Sequence, residues 1–260
     1  MEQVGKLETI CRYPVKSMEG EAIDEAFVGY GGIMGDRVYA FVHPDGRQGF
    51  PWRTGRDQED LVLFRPRFRQ PAAAALPVDI ATSFALGPGV NPIFPPPESF
   101  AVVVTTPAGS ELAVDSAELA AELAQRSGQE VTLRFSERGL YDCRPLSLFG
   151  NASARALGDE LGMAMDRRRF RANLYVDWQP DQPHREDALV GRTLQLGDRL
   201  RIAVTERDPR CKMITIDPAT GATERRILRH VNDAHGSCAG VYAATLVEGI
   251  VRRGDPIYLL

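Results

Sequence analysis

Residues 194–206, with the sequence LQLGDRLRIAVTE, decide the fold class because they hold two short predicted β-strands close together. The first strand covers 194–196, and the second covers 200–206. Short strands at such close spacing favour a β-rich protein.

The rest of the chain shows the same pattern of short strands, with few helices. Further strands are predicted at 5–13, 21–28, 38–42, 100–105, 130–135, 169–176, 213–216, 240–246 and 256–260. Helices are predicted at 117–126, 151–161 and 223–234, and Gly128 and Gly162 end the first two. The pattern favours a mostly β fold with added helices (α+β), a barrel or sandwich, over an alternating parallel sheet.

The texture of the sequence changes near residue 110, where loop-rich strands give way to mixed helices and strands. Two domains are therefore predicted, at 1–112 and 113–260. Residues 66–98 are rich in proline, alanine and glycine and predict an irregular loop. The segments HPDG at 43–46 and PAG at 107–109 predict turns, the second within a hairpin.

The composition excludes several classes of function. The net charge of -4 gives no global attraction to nucleic acid or to anionic membranes, so neither is expected as a partner. No apolar run is long enough to span a bilayer, and the first residues lack the features of a signal peptide. We therefore expect a cytoplasmic protein.

The four cysteines are widely spaced and form no CxxC pair, which argues against a zinc ribbon or a thioredoxin-like motif. Cys211 differs from the others because Arg210 and Lys212 flank it, and positive neighbours favour the thiolate that binds soft metals. A single thiolate is too few for a structural zinc site. Cys211 is therefore a ligand to a metal that brings other ligands with it, a nucleophile or an inert buried thiol.

Three further segments offer groups for an anion. Residues 13–17, YPVKS, predict a turn that presents a cation and a hydroxyl, and residues 35–37, GDR, place an arginine after glycine. If 169–176 is a strand, Arg169, Arg171 and Asn173 share one face, which suits an anion. Each segment alone is equally a solvated turn or strand face.

The histidines give a weaker signal. His230, His235 and Cys238 have a spacing that suggests a metal site, but they span a helix end and a glycine-containing loop. No fourth ligand follows at a regular offset. The sequence therefore gives little support for a metal ion there.

The order of these motifs is more specific than any one of them. YPVKS at 13–17, GDR at 35–37, RFRAN at 169–173 and RC at 210–211 with DPATG at 217–221 resemble the MOSC (molybdenum cofactor sulfurase C-terminal) domain family. GVYA at 240–243 and GD at 254–255 resemble its ending. The layout, with an N-terminal β-barrel domain before the MOSC β-barrel domain, is similar to the mitochondrial amidoxime reducing component and its bacterial counterparts.

The resemblance implies a bound molybdenum cofactor, Mo-molybdopterin, with Cys211 as the metal ligand and the catalytic residue. It implies that the pterin and its phosphate are held by Lys16, Ser17, Arg37, Ser147, Arg171, Asn173 and Arg210. Two positions depart from the family pattern. Ala172 stands where relatives often carry proline, and Pro209 stands where the eukaryotic relatives carry a small polar residue.

The resemblance further implies an oxidoreductase that removes oxygen from N-hydroxylated small molecules. The chain contains no iron–sulfur or flavin motif, so a separate redox protein is expected to donate electrons. Two alternatives remain, because binding does not imply turnover. One is a non-catalytic carrier of the cofactor or its sulfur, and the other is a metal-free sulfur or alkyl acceptor using Cys211.

Overall fold

The structure, a computed structural model, describes residues 1–44, 50–86 and 94–260. Its strands, in chain order, are β1 (Glu2–Arg12), β2 (Glu21–Ile23), β3 (Glu25–Gly29), β4 (Gly32–Ile33), β5 (Tyr39–Val42), β6 (Arg65–Phe68), β7 (Val102–Thr105), β8 (Glu111–Ala113), β9 (Thr132–Phe135), β10 (Leu146–Gly150), β11 (Leu174–Trp178), β12 (Thr193–Leu196), β13 (Leu200–Pro209), β14 (Cys238–Val247), β15 (Gly249–Arg252) and β16 (Pro256–Leu259). Its α-helices are α1 (Ile80–Ala85), α2 (Ala117–Ser127), α3 (Asn151–Leu161) and α4 (Arg225–His235).

Seven strands close into a β-barrel in the order β11-β10-β14-β13-β12-β16-β1, and β1 pairs with β11 to complete the ring. β10 and β11 are parallel, and the other neighbours in the ring are antiparallel. Leu200, Ile202 and Val204 on β13 all belong to the barrel core, since alternate residues of a strand lie on the same face. The expected mostly β fold with added helices is therefore confirmed.

The barrel takes its first strand from the start of the chain. β1 lies between β16 and β11, and Gly5 pairs with Ile257 on one side and with Trp178 on the other. β1, which lies before the predicted boundary at residue 112, thus pairs with strands that lie after it. The boundary itself stays a prediction. The loop after β1 is held at the barrel rim, and it carries residues 13–17.

Three smaller sheets, β15-β3-β4, β5-β9 and β6-β7-β8, surround a second core. This core combines aliphatic side chains with phenylalanines, among them Phe27, Phe64, Phe68 and Phe100. α2 covers it with Leu119 and Leu123, which are four residues apart and therefore on one helical face. β15 comes from the C-terminal part of the chain, so the two halves also share this sheet.

The predicted helices are found with small shifts at their ends. Ser116 caps α2 by accepting a hydrogen bond from Leu119 N at 3.2 Å, and Gly128 ends it with a φ of 69°. α3 has the predicted bounds and ends at Gly162, and α4 covers Arg225–His235 instead of 223–234. α3 and α4 pack beside the barrel over a third apolar cluster.

The predicted strand at 169–176 is wrong in its first half. Residues Arg167–Phe170 form a 3-10 helix, Arg171 follows with a φ of 52°, and the strand begins at Leu174. Asp166 stabilises the turn by accepting a hydrogen bond from Arg168 N at 2.9 Å. The cap and the left-handed residue break the alternation, so Arg169 and Arg171 do not lie on one strand face.

Two other expectations also need correction. The predicted strand at 213–216 is a 3-10 helix, Lys212–Thr215. The stretch 66–98 contains most of β6 and the helix α1, and its residues 87–93 lie outside the described part. The predicted hairpin turn at 107–109 is confirmed between β7 and β8, whereas part of the turn at 43–46 lies outside the described residues. None of the helices described is long and apolar enough to cross a membrane.

Candidate functional site

A cleft at the rim of the barrel brings together all the residues that the sequence nominated. It is lined by Lys16, Ser17, Arg37, Ser147, Arg171, Asn173, Arg210 and Cys211. They come from five places in the chain: the loop after β1, the loop before β5, the start of β10, the loop before β11 and the loop after β13. Thr54 and Arg56, which the sequence did not single out, complete the wall from the N-terminal half.

Asp36 is the buried hub of this wall, with only 1% of its surface exposed. Its Oδ1 accepts a hydrogen bond from Tyr13 N at 2.8 Å, and its Oδ2 accepts one from Asn173 Nδ2 at 3.0 Å. The same Oδ2 pairs with the guanidinium of Arg37. A buried carboxylate needs such partners, so Asp36 holds three segments in place.

Two arginines pack against one aromatic ring. The guanidinium carbons of Arg37 and Arg171 lie 4.5 and 4.4 Å from the ring centre of Tyr13, and Arg37 Nη2 donates to Arg171 O at 3.1 Å. Burial lowers the pKa of Arg171, and the nearby charge of Arg37 adds to that decrease. Burial alone lowers the pKa of Arg37 too, but Asp36 more than offsets this and the pKa is raised.

Arg171 and Arg56 have donors that no protein group satisfies. In each, the Nη2 atom is buried without a hydrogen-bond partner, and neither guanidinium forms an ion pair within the described ranges. Arg56 instead lies with its guanidinium carbon 4.1 Å from the ring centre of Phe50. A buried donor atom without a partner is unfavourable unless an acceptor joins it, so both Nη2 atoms indicate an anion site.

Lys16 and Ser17 lie on the loop after β1. The ammonium group of Lys16 donates to Leu140 O at 2.6 Å and pairs with Asp142 Oδ1 at 2.6 Å. Burial lowers the pKa of Lys16, and Asp142 offsets part of that decrease. Ser17, Arg37 and Arg171 are three of the five described non-glycine residues with a positive φ, a strain that often marks functional sites.

Asn173 and Ser147, two of the nominated residues, are hydrogen-bonded to each other and to neighbouring segments. Asn173 Oδ1 accepts from Ser147 N and Oγ at 3.3 and 3.2 Å, while its Nδ2 donates to Asp36 and to Cys11 O. Asn173 and Ser147 therefore fix the wall of the cleft more than they reach into it.

Arg210 is engaged in the same way. It donates to Ala239 O and Phe170 O at 2.6 and 2.8 Å and pairs with Asp208 at 2.8 Å. Gly240 allows this close packing, because a Cβ there would lie 2.8 Å from Leu148 O. Arg210 thus ties three strands or loops together next to the cleft.

Cys211 lies on the cleft wall at the residue before the 3-10 helix Lys212–Thr215, and its side chain is partly buried. Its flanking cations turn to other partners, since Arg210 pairs with Asp208 and Lys212 pairs with Glu59 at 2.5 Å. The charges of Arg210 and Lys212 are therefore balanced by carboxylates, and the cationic groups left to act on the Cys211 thiol are other residues of the cleft. Cys143, which is exposed, lines the same cleft and was not singled out by the sequence.

Sequence reasoning missed Asp36, Arg56 and Cys143 as members of this site. For Asp36 a signal existed, because an acidic residue between glycine and arginine in an otherwise cationic set suggests a buried counter-charge. Arg56 carries no local motif and reaches the cleft only through folding. The assembled site offers unpaired cations for an anion and a thiol on the same wall.

Family models match nearly the whole chain. The MOSC N-terminal beta barrel domain matches residues 4–137, and the MOSC domain matches residues 135–258. No curated protein sequence matches the chain.

Among solved structures, the YUAD protein from Bacillus subtilis is 13% identical, with 98% of this chain and 94% of that chain covered and a TM-score of 0.46. The YiiM proteins from Geobacillus stearothermophilus and Escherichia coli are 15% and 16% identical, with TM-scores of 0.34 and 0.35. These two alignments cover 45% of this chain and 54% of each YiiM protein, about half of its length.

The two family models together span both halves of the chain, and the cleft is built by residues from both of them. The chain therefore belongs to the MOSC family, with an N-terminal beta barrel domain followed by a MOSC domain, which associates it with the molybdenum cofactor.

Proposed function

We propose that the cleft binds the molybdenum cofactor, with Cys211 as the protein's ligand to the metal, and that the chain is a cytoplasmic oxidoreductase for N-hydroxylated small molecules. The observation that carries this proposal is the buried and unpaired Nη2 of Arg171 beside a second arginine, Arg37. Asp36 pairs with only one of the two guanidinium groups on the Tyr13 ring, so the charge of Arg171 has no ion-pair partner among the described residues.

The donor set fits the anionic part of the cofactor. A terminal phosphate carries up to two negative charges, and its burial requires cations with hydrogen bonds in place. Arg171 and Arg56 each have a free buried donor, and Lys16 has one N–H beyond its two described partners. Arg37 adds charge while its position is fixed by Asp36.

The thiol fits the metal end. Molybdopterin supplies its own sulfur ligands, so one protein thiolate is sufficient, and Cys211 lies on the wall shared with the arginines. When bound, the molybdenum centre supplies the two-electron chemistry that removes oxygen from an N-hydroxylated compound. Electrons come in this proposal from a separate redox protein.

The other side chains have positioning roles in this proposal. Asn173, Ser147 and Arg210 hold the loops that carry Arg171 and Cys211 through their internal hydrogen bonds. Asp142 and Cys143 line the cleft and are exposed, and in this proposal a small substrate enters from their side.

The test is the molybdenum content and the activity of protein made in a host that produces the cofactor. Wild-type protein is expected to carry stoichiometric molybdenum and to reduce benzamidoxime with a chemical reductant. Cys211→Ala is expected to lose activity, whereas Cys143→Ala, a matched change at a second thiol of the same cleft, keeps it.

Two results separate the alternatives. Full molybdenum loading without turnover would overturn the enzymatic proposal, and release of the cofactor to an apo-enzyme would indicate a carrier. Protein without molybdenum from a competent host would overturn cofactor binding itself. Equal loss of activity in Cys211→Ala and Cys143→Ala would contradict the assignment of Cys211 as the ligand.

A further inference from the structure

A second cluster of metal-ligating side chains lies outside the cleft, where the C-terminal ends of α3 and α4 meet. Glu160 is the next-to-last residue of α3, His235 is the last residue of α4, and His230 lies five residues earlier on α4. Within the described residues, these three are the group of histidine, cysteine and acidic side chains whose ligand atoms lie close enough to share a metal ion.

The geometry of the cluster is convergent. Glu160 Oε2 lies 2.6 Å from His230 Nε2 and 2.7 Å from His235 Nε2, and all three ligand atoms lie within 4.8 Å of one another. In a tetrahedral zinc site with bonds of about 2.0–2.1 Å, ligand atoms are about 3.3 Å apart. Binding an ion therefore moves Glu160 Oε2 away from each histidine nitrogen by about 0.6–0.7 Å.

The surroundings favour a cation at this point. The C-terminal ends of α-helices carry partial negative charge, and two of them converge here. The nearby cation Arg207 donates to His235 O at 2.7 Å, and Asp187 pairs with its guanidinium at 2.9 Å, so its charge is largely balanced. The three side chains remain partly exposed, which leaves a route for an ion from solvent.

A third histidine supports the cluster. The ring of His184 lies 4.5 Å from the ring of His235, and its Nε2 is buried without a hydrogen-bond partner. The ring of His184 therefore packs against the ring of His235 on the inner side of the cluster.

We propose that Glu160, His230 and His235 bind a divalent transition-metal ion of the zinc type, with water in the remaining position. Two imidazoles and one carboxylate are ligands that zinc accepts, whereas magnesium and calcium prefer sets made of oxygen alone. The site is independent of the proposed molybdenum function, because it shares no residue with the cleft. The ligand set also differs from the one that the sequence spacing suggested, which contained Cys238 in place of Glu160.

The test is calorimetric titration of the full chain with Zn²⁺, together with Co²⁺ absorption spectra. Wild-type protein is expected to show one saturable site, and His230→Ala and Glu160→Gln each weaken it by at least about ten-fold. Cys238→Ala is the matched control and leaves the affinity unchanged. The Co²⁺ spectrum at this site is expected to lack a sulfur-to-metal charge-transfer band.

Two results would overturn the proposal. One is an unchanged zinc affinity in both His230→Ala and Glu160→Gln, and the other is a loss of zinc affinity in Cys238→Ala. Glu160→Gln nearly preserves the shape of the side chain, so its effect is readable even if a histidine variant is unstable. An unchanged circular dichroism spectrum of the metal-free variants confirms that any loss of binding is local.

Discussion

Asn173 Nδ2 donates a hydrogen bond of 3.0 Å to Asp36 Oδ2, across 137 positions of sequence. The two residues belong to different halves of the chain, and each has almost no surface exposed. Asp36 fixes Arg37 on one side, and Asn173 fixes the loop after Arg171 on the other. The two cationic walls of the cleft are thus joined by one carboxylate–amide contact.

Replacing Asp36 should therefore destabilise the fold more than any exposed charge does. Asp36→Ala removes the acceptor for Tyr13 N, for Asn173 Nδ2 and for Arg37. Breaking a buried pair leaves an uncompensated charge, so we expect the free energy of unfolding to fall by about 3–5 kcal/mol. Urea unfolding at neutral pH measures this change.

The control is Asp181→Asn, which breaks an ion pair with Arg155 in which both side chains are more than half exposed. Such pairs contribute about 0–1 kcal/mol, so the unfolding curve should hardly move. Equal shifts in the two variants would show that Asp36 does not act as a buried hub.

Arg169 and Arg171 should lose different amounts of stability on the same substitution. Arg169 donates to Thr215 O at 2.9 Å and pairs with Asp217 at 2.6 Å, whereas Arg171 has a buried Nη2 with no partner. In cofactor-free protein, Arg169→Ala should lower the free energy of unfolding by about 3 kcal/mol. Arg171→Ala should lower it by no more than about 1 kcal/mol, since an unfavourable burial is removed.

The molybdenum content of the same variants completes this prediction. Arg171→Ala should retain little molybdenum although it is stable, because an anion contact is lost. A stable Arg171→Ala with full molybdenum loading would argue against Arg171 as a phosphate contact. Plasma emission spectrometry of desalted protein gives the metal content.

How much of this the sequence could predict depends on the range of the interactions. Ser116 and Gly128 are local signals, so the position of α2 could be predicted to within one residue. The barrel strands 200–206 and 240–246 alternate because one face is buried, and that too is visible locally. Their order around the barrel is set by contacts far apart in sequence, such as β1 with β16.

The segment 167–173 shows where local patterns fail. Its residues fit the alternation of a strand, but the Asp166 cap and the inward turn of Arg169 to Asp217 favour a 3-10 helix. Arg37 and Arg171 were predicted as site residues from the family motifs. That both pack on the Tyr13 ring could not be predicted, because the fold brings the three residues together. Arg56 had no local signal at all and enters the site through tertiary contacts.

The loop at 217–221 should give a pH-dependent stability. Asp217 Oδ1 accepts from the N–H groups of Ala219 and Thr220 at 2.9 and 3.0 Å. Burial raises its pKa, but these hydrogen bonds and the charge of Arg169 lower it more, so the pKa is below the ordinary value of 3.8. With the folded pKa below the unfolded one, the stabilisation is fully present above about pH 4 and is lost as the pH falls through the folded pKa.

We therefore expect Asp217→Asn to lower the free energy of unfolding by about 1–3 kcal/mol at neutral pH. The difference from wild type should begin to narrow below about pH 4 and disappear as the pH falls through the lowered pKa of the folded protein, where the wild-type carboxylate becomes protonated. Urea unfolding at a series of pH values tests this. Parallel curves for the two proteins over the whole range would contradict it.

Arg56 tests whether the N-terminal half contributes to binding. It has a buried unpaired Nη2, and its backbone carbonyl accepts from Lys212 Nζ at 2.9 Å, next to Cys211. Losing one charge-assisted hydrogen bond costs about 1.5–3 kcal/mol, so Arg56→Ala should bind the cofactor at least about ten-fold more weakly.

Arg144→Ala is the matched control for Arg56→Ala, because Arg144 lines the same cleft but is exposed and paired with Glu206 at 2.7 Å. Molybdenum retained after dialysis at increasing salt distinguishes the two variants. Salt screens exposed charges strongly and buried pairs weakly, so the wild type and Arg144→Ala should keep the metal at concentrations that strip it from Arg56→Ala. If both variants lose molybdenum together, the binding reflects the general positive charge of the cleft, and Arg56 has no specific role.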